Sequence, residues 1–302
     1  MNRYKEFLSV LHQKGIAFER NVFLNAYTSF RIGGPCDVMV YPVGVEQMRE
    51  SILACLQFDL PYFILGKGTN LLVDDAGYRG VILSTESLQE IYLSKDDTIC
   101  AGAGVPLSSV CRFALEHSLT GLEFAFGIPG SVGGAAYMNA GAYGGEMKDV
   151  VTCCEHITPQ GVVQRFCTEE LHYSYRTSVY ADNDYCITNV YLSLKHGDYH
   201  EIETRMNELL QRRKDKQPLS YPSAGSTFKR PVGGYASALI EECGLKGKMI
   251  GGAQVSEKHS GFVINRGDAS CEDVEALIRE IQRVVLEQKG ITLHCEVKKL
   301  AS

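Results

Sequence analysis

Between Gly121 and Gly145 the chain reads GLEFAFGIPGSVGGAAYMNAGAYGG, a stretch that holds eight of the protein's thirty glycines and one charged side chain, Glu123. With so little side-chain chemistry, what this segment does belongs to its main chain. Glycine reaches φ > 0 and lets amide N–H groups approach a ligand closely, and successive N–H groups form a concavity suited to an anion such as phosphate. A diphosphate could sit here without any lysine. A cluster of small-residue turns packed under a sheet would have the same composition, so both readings stay open on this stretch alone.

The remainder of the chain narrows the class. At 302 residues, 45 % hydrophobic and 22 % charged, it is long enough for two or three domains with a sizeable core. A net charge of −6 argues against an electrostatic nucleic-acid footprint or a polybasic membrane patch, so an anionic ligand must be met locally. The eleven cysteines contain no CxxC pair and no even ladder, and the chain is larger than those that need covalent staples; they read as reduced thiols without a zinc site. The opening MNRYKEFLSVLHQKG mixes charged and apolar residues, unlike a signal core, and no apolar run reaches the length of a membrane span. The expectation is a cytoplasmic protein with no bound metal.

Periodicity predicts a short amphipathic helix over 4–14, a strand over 36–41, a helix over 46–58 and a strand over 61–65. Gly66-Lys67-Gly68-Thr69-Asn70 follows as a glycine turn at the end of a buried strand. It is not a Walker A loop, which needs glycine where this chain has Pro61. Nor is it the dinucleotide fingerprint, whose third glycine is replaced by Leu71. Gly102-Ala103-Gly104 fails the same test, because Pro106 and Leu107 follow. Further strands are expected at 81–83, 98–101, 151–158, 162–166 and 185–194, with helices over 108–116 and 199–216. A boundary is expected near Lys216-Gln217-Pro218, followed by helices over 235–243 and 271–288 and strands over 261–264 and 292–298.

Three polar spots could carry chemistry. In Tyr173-Ser174-Tyr175-Arg176-Thr177-Ser178 one arginine is surrounded by hydroxyls; it is either a strand anchor or a carboxylate or phosphate clamp. Ser226, in the proline-bounded loop Pro222–Pro231, is not a nucleophile-elbow serine, since Ala224 and Phe228 occupy the glycine positions of that motif. It either satisfies turn amides or donates a proton to a substrate carbanion. In Thr292–Lys298, strict alternation places Leu293, Cys295 and Val297 on one side and His294 and Glu296 on the other, so Glu296 faces solvent or a cleft.

Taken together, LGKGTNLLV (65–73), the central stretch to Met147, YSYRTS (173–178), PSAGSTFKRP (222–231), GGAQVSEKHSGFVIN (251–265) and HCEVK (294–298) strongly resemble the UDP-N-acetylenolpyruvoylglucosamine reductase family, nearly end to end. The resemblance implies an α+β chain with an FAD-binding fold of the vanillyl-alcohol-oxidase and p-cresol-methylhydroxylase type in two lobes, plus a smaller α+β substrate domain. The implied limits are 1–66 with 291–302 for the first lobe, 67–204 for the second and 205–290 for the substrate domain. FAD contacts carry over to Gly66, Lys67, Gly68, Thr69 and Asn70 and to Ile128, Pro129, Gly130, Ser131 and Gly133. Arg176, Ser226 and Glu296 fall on the family's catalytic positions; Tyr175 is expected to bind substrate, and Lys216 either meets the substrate's diphosphate or is one member of a solvated basic run. Some relatives carry Asn where this chain has Arg230, and the short connection between Arg176 and Ser226 resembles the subclass without an extra tyrosine-bearing loop.

The family's reaction would then be a ping-pong reduction with FAD as cofactor and NADPH as co-substrate. NADPH would reduce FAD, leave, and be replaced by UDP-N-acetylglucosamine enolpyruvate, whose terminal carbon takes hydride from flavin N5. Arg176 and a protonated Glu296 would stabilise the enediolate-like charge, and Ser226 would protonate the adjacent carbon, giving the lactyl ether of peptidoglycan precursor synthesis. No nucleic acid, membrane or obligate protein partner is expected. The rival readings are a flavin oxidase of the same fold acting on an alcohol or phenol, distinguishable by peptide-bound flavin, and a non-catalytic nucleotide-binding module.

Overall fold

The computed structural model describes residues 2–94 and 96–302, and the chain forms two compact units. The first comprises residues up to Arg20 with Val38–Lys67 and Gly80–Arg213; the second comprises Asn21–Asp37, Gly68–Arg79 and Lys214–Ser302.

In the first unit, α1 (Asn2–Gln13) buries Phe7 and Leu11, four residues apart on one face, against α2 (Gly44–Gln57), which buries Met48, Ile52 and Cys55. The strand Tyr62–Leu65 pairs in parallel with Tyr78–Ser84, Tyr62 opposite Val81 and Leu65 opposite Ser84, and this pairing aims the turn at Gly66. A five-stranded antiparallel sheet has the order Val163–Cys167, Val151–Ile157, Cys186–Ser193, Thr98–Gly102, Ile91–Leu93. On it lies α4 (Val132–Tyr137), formed by the middle of the glycine-rich stretch; α3 (Leu107–Glu116) precedes it in the chain, and α5 (Tyr199–Lys216) has the limits expected from sequence. The strand Ala17–Phe23 was not expected, because its residues are mostly exposed and show no apolar alternation.

Two findings in this sheet depart from the sequence reading or add to it. Cys153 and Cys167 are joined as a disulfide, so the expectation that all the cysteines are reduced is corrected. They are register partners on adjacent strands, a juxtaposition that their separation of 14 residues does not announce. Nine other cysteines are free, and seven of these are buried.

His156, fully buried, stacks on Tyr185 with ring centroids 4.8 Å apart and has Nδ1 3.0 Å from the Tyr180 hydroxyl. Burial pushes its imidazole below the ordinary value of 6.5, and burial does the same to His259 in the second unit. Below that value the unfolded chain takes up protons that the folded chain refuses, so stability falls as the pH drops and is unaffected above it. Each such group tilts stability by at most about 1.4 kcal/mol per pH unit. In pH-dependent thermal melts, His156→Phe is expected to flatten the loss between pH 6.5 and the acid limb relative to the wild type; an unchanged slope would remove His156 from the account.

The second unit holds α6 (Ala236–Glu242), α7 (Cys271–Lys289) and a three-stranded antiparallel sheet, Met249–Ile250, Ala253–Val255 and Val263–Asn265. Helix α7 starts in a capping box, Ser270 with Asp273, and stops at Gly290 in the left-handed conformation. Its buried face, Val274, Leu277, Ile278, Ile281 and Val285, packs on the sheet, each such side chain contributing about 1.5–3 kcal/mol relative to exposure. A parallel pair, Leu71–Val73 with Lys298–Leu300, ties the chain's end to the segment after the first glycine turn. No described helix is long and apolar enough to cross a membrane. Among the described residues no group of three or more His, Cys, Asp or Glu is placed to hold a metal ion.

Candidate active site

The glycine-rich stretch is stitched down by its own main chain. Leu107 N–H donates to Gly130 O (3.0 Å), Val132 N–H to Val105 O (2.9 Å) and Gly133 N–H to Ala103 O (3.0 Å). A Cβ on Gly133 would stand 2.6 Å from Ala103 Cβ and 2.9 Å from Ala103 O, so close packing, not only an anion, requires glycine here. Gly133→Ala is expected to cost about 1–3 kcal/mol by overpacking, read as a lower melting temperature; an unchanged melt would show that the contact yields freely.

Ser131, buried, caps α4 by accepting the Gly134 N–H at 3.3 Å, and its Oγ lies 3.0 Å from where a Cβ on Gly66 would be. The ends of the two glycine segments in the first unit therefore meet with no side chain between them except the Ser131 hydroxyl. Gly66–Lys67 and Ile128–Gly133 contain no carboxylate, and Lys67 Nζ stands 3.7 Å from Glu86. The Lys67 ammonium and the Ser131 hydroxyl are donors that suit a diphosphate, and a Cβ on Gly66 would crowd Ser131 Oγ.

Arg176 sits at the tip of a tight reversal. Ser174 N–H donates to Thr177 O (3.1 Å) and Thr177 N–H to Ser174 O (3.3 Å), and Arg176 itself has φ of +57°. A non-glycine residue in the left-handed region carries strain that the surrounding structure must hold. Its Nη2 donates to Gly141 O at 3.2 Å, and its guanidinium lies 5.3 Å from the ring centre of the exposed Tyr175. Beneath this turn are Asn139 and Glu146, which the sequence reading did not single out; the only signal was that Asn139 is the one amide side chain in the glycine-rich stretch.

In the second unit the expected strand over 292–298 is corrected: a regular strand forms only at Lys298–Leu300. The preceding residues instead cross the Ser226 loop through a single bridge, Phe228 opposite Cys295. Around it, Lys229 N–H donates to His294 O (2.8 Å) and Glu296 N–H to Thr227 O (2.8 Å). The alternation still sorts the faces, with Leu293 buried and His294 exposed. Thr227 is anchored further by its N–H to Gly261 O (2.9 Å) and by its Oγ1, which accepts Val263 N–H at 3.0 Å; Ser226 next to it is exposed.

Asn70 closes the arrangement, since its Nδ2 donates to Glu296 O (3.1 Å) and its O accepts Lys298 N–H (3.0 Å). Gly68, at φ +59°, packs so closely that a Cβ would be 2.1 Å from Tyr27 O. The second unit thus gathers Gly68, Thr69, Asn70, Ser226 and Glu296, while Arg176, Gly66 and Ile128–Gly133 belong to the first. Lys216 is exposed at the end of α5, and the Arg230 guanidinium lies 4.4 Å from the Tyr235 ring centre.

The glycine turn at Gly66 follows the strand Tyr62–Leu65, and the same unit holds an antiparallel sheet without a Rossmann fingerprint. A family model described as an FAD binding domain matches residues 36–166. A berberine bridge enzyme variant shares the fold at a TM-score of 0.51 and 12 % identity, covering 64 % of this chain and 44 % of its own. This is the FAD-binding fold of the vanillyl-alcohol-oxidase and p-cresol-methylhydroxylase type.

Within that class, the chain belongs to the UDP-N-acetylenolpyruvoylglucosamine reductase family. The model of that enzyme's C-terminal domain matches residues 217–300. The reductase of Clostridium novyi is 46 % identical over 294 residues, 97 % of this chain and 95 % of its own, and that of Caldanaerobacter subterraneus 49 % over 289 residues, 94 % and 95 %. The crystal structure of the Thermus caldophilus reductase aligns at a TM-score of 0.82 with 34 % identity, covering 95 % of this chain and all of that one.

Proposed function

We propose that the chain catalyses the NADPH-dependent reduction of UDP-N-acetylglucosamine enolpyruvate to UDP-N-acetylmuramate, with Arg176, Ser226 and Glu296 as its catalytic residues. The observation that supports this assignment of residues is the hydrogen-bonded junction in which Glu296 is tied to the Ser226 loop through Thr227 and to the glycine turn through Asn70. It ties the backbone of Glu296 both to the loop that carries Ser226 and to the turn expected to hold cofactor.

FAD, when bound, supplies the relay of hydride from NADPH to the enolpyruvyl double bond. Within Gly66–Asn70 and Ile128–Gly133 its diphosphate would be met by the Ser131 hydroxyl and by main-chain N–H groups other than those of Ile128, Val132 and Gly133, which already donate to carbonyls. Arg176 offers a fixed fork of donors to the enolpyruvyl carboxylate, where negative charge grows as the terminal carbon gains hydride. A protonated Glu296 carboxyl would be a further donor to that developing charge. Ser226 gives its hydroxyl proton to the carbon next to the carboxylate, and solvent, to which Ser226 is open, restores it. A serine hydroxyl is a weak acid, so this transfer works only against a strongly basic carbanion. Tyr175 and Lys216 contact the UDP-sugar, Lys216 at the diphosphate.

Residues 205–290 form the substrate domain, 67–204 one flavin lobe and 1–66 with 291–302 the other. The enzyme acts in the cytoplasm, with no nucleic-acid or obligate protein partner. Stopped-flow absorption tests the reading: NADPH should bleach the yellow protein, and anaerobic addition of the enolpyruvyl substrate should restore the colour. Failure of the second step, with the first intact, would refute the substrate assignment.

A further inference from the structure

Asn139 lies below the Arg176 turn, fully buried and at φ +48°, a conformation that asparagine tolerates better than most residues. Its neighbours fix the amide's orientation: Oδ1 accepts Lys148 N–H at 2.9 Å, and Nδ2 donates to Ser174 O at 3.0 Å and to Glu146 Oε2 at 2.8 Å. Ser174 is the residue whose main chain closes the Arg176 reversal.

Glu146 is held in turn by Lys148 Nζ at 3.0 Å. Lys148 first, then Asn139 and the charge of Arg176, keep the Glu146 carboxyl below the usual range against the opposing effect of burial. Gly141, whose carbonyl accepts from Arg176 Nη2, pairs across a short ladder with Glu146. Asn139, Ser174, Arg176, Gly141 and Glu146 therefore form a closed circuit. Both ends of the arginine, its strained backbone and its guanidinium, are referred to one buried amide.

We propose that Asn139 is a positioning residue for the reduction: acting through Ser174 and Glu146, it holds Arg176 in the pose that meets the substrate carboxylate. The inference rests on the catalytic reading of Arg176. An arginine side chain is long and flexible, and a donor fork stabilises developing charge only if it is in place beforehand. Neither Asn139 nor Glu146 is assigned contact with substrate.

The test uses the FAD-loaded full chain. Asn139→Asp keeps the tolerance for positive φ and the acceptor for Lys148 N–H, but sets an oxygen against the Ser174 carbonyl and the Glu146 carboxylate. Reduction by NADPH should be unchanged, while re-oxidation by the enolpyruvyl substrate should slow about 100-fold, the scale of a 1 Å misplacement. The loss should shrink as the pH is lowered, because a protonated carboxyl can donate again. Calorimetry on the oxidised enzyme should show weaker binding of the enolpyruvyl substrate and unchanged binding of UDP.

Arg176→Gln and Glu146→Gln complete the set, the second expected to slow re-oxidation about tenfold for one lost charge-assisted contact. If Arg176→Gln slows re-oxidation and Asn139→Asp and Glu146→Gln do not, the positioning role is overturned and the reading of Arg176 stands. If Arg176→Gln has no effect, both fall. Equal slowing of both half-reactions by Asn139→Asp, without recovery at low pH, would make it a structural residue only. Should that variant not fold, Glu146→Gln decides alone: slower re-oxidation supports the proposal and a wild-type rate overturns it.

Discussion

Ser226→Ala is expected to leave NADPH-dependent bleaching of the flavoprotein at the wild-type rate and to slow its re-oxidation by UDP-N-acetylglucosamine enolpyruvate about 10²–10⁴-fold, the usual contribution of a positioned proton donor. The loop should survive the change, because its anchors run through Thr227, Phe228 and Lys229 rather than through Ser226 Oγ. Ser226 is exposed, and removing one oxygen leaves no buried partner to strand. Rapid mixing of the two substrates in separate experiments, with quenched-flow analysis of the lactyl product, resolves the halves. Equal loss in both halves would count against proton donation, and no loss in either would remove Ser226 from the chemistry.

Glu296→Ala should produce the second-largest effect, about 10²–10³-fold on the same half-reaction, the range for loss of one donor aimed at developing charge. The segment is held through its own backbone, by Glu296 N–H donating to Thr227 O and by Glu296 O accepting from Asn70 Nδ2, neither of which uses the carboxyl. Glu296→Gln retains an N–H donor in the same place and should recover part of the loss. If the glutamine variant were as slow as the alanine one, hydrogen-bond donation alone would not describe the residue's role. Circular dichroism and retained flavin would distinguish a lost reaction from a lost fold.

Much of the scaffold was legible locally. The helix over 199–216 and the one beginning at Cys271 follow from residue pattern along the chain, and the failed Walker and Rossmann tests at Gly66–Leu71 and Gly102–Leu107 excluded two familiar ways of holding phosphate. Helix α4 was not legible, because Val132-Gly133-Gly134-Ala135-Ala136-Tyr137 has two glycines in six residues and only weak intrinsic helical preference. It forms where the Ser131 cap and packing on the sheet outweigh propensity. The alternation in Thr292–Lys298 gave the right faces but the wrong element, since alternation reports burial on one side and not whether a partner strand continues alongside.

The cysteine pairing and the Asn139 circuit mark the same limit. Cys153 meets Cys167 only through strand register, and Asn139 finds Ser174, 35 residues away in the chain, only after the sheet has folded. By itself the sequence marked out the glycine-rich stretch between Gly121 and Gly145 and three polar spots as candidates, because glycine content and residue type are local properties. Only the tertiary structure decided which atoms hold those spots in place, with Asn70 and Thr227 on the backbone of Glu296 and Asn139 under Arg176. Hydrogen bonds across long separations depend on where packing puts the chain, and no spacing along the sequence encodes that distance.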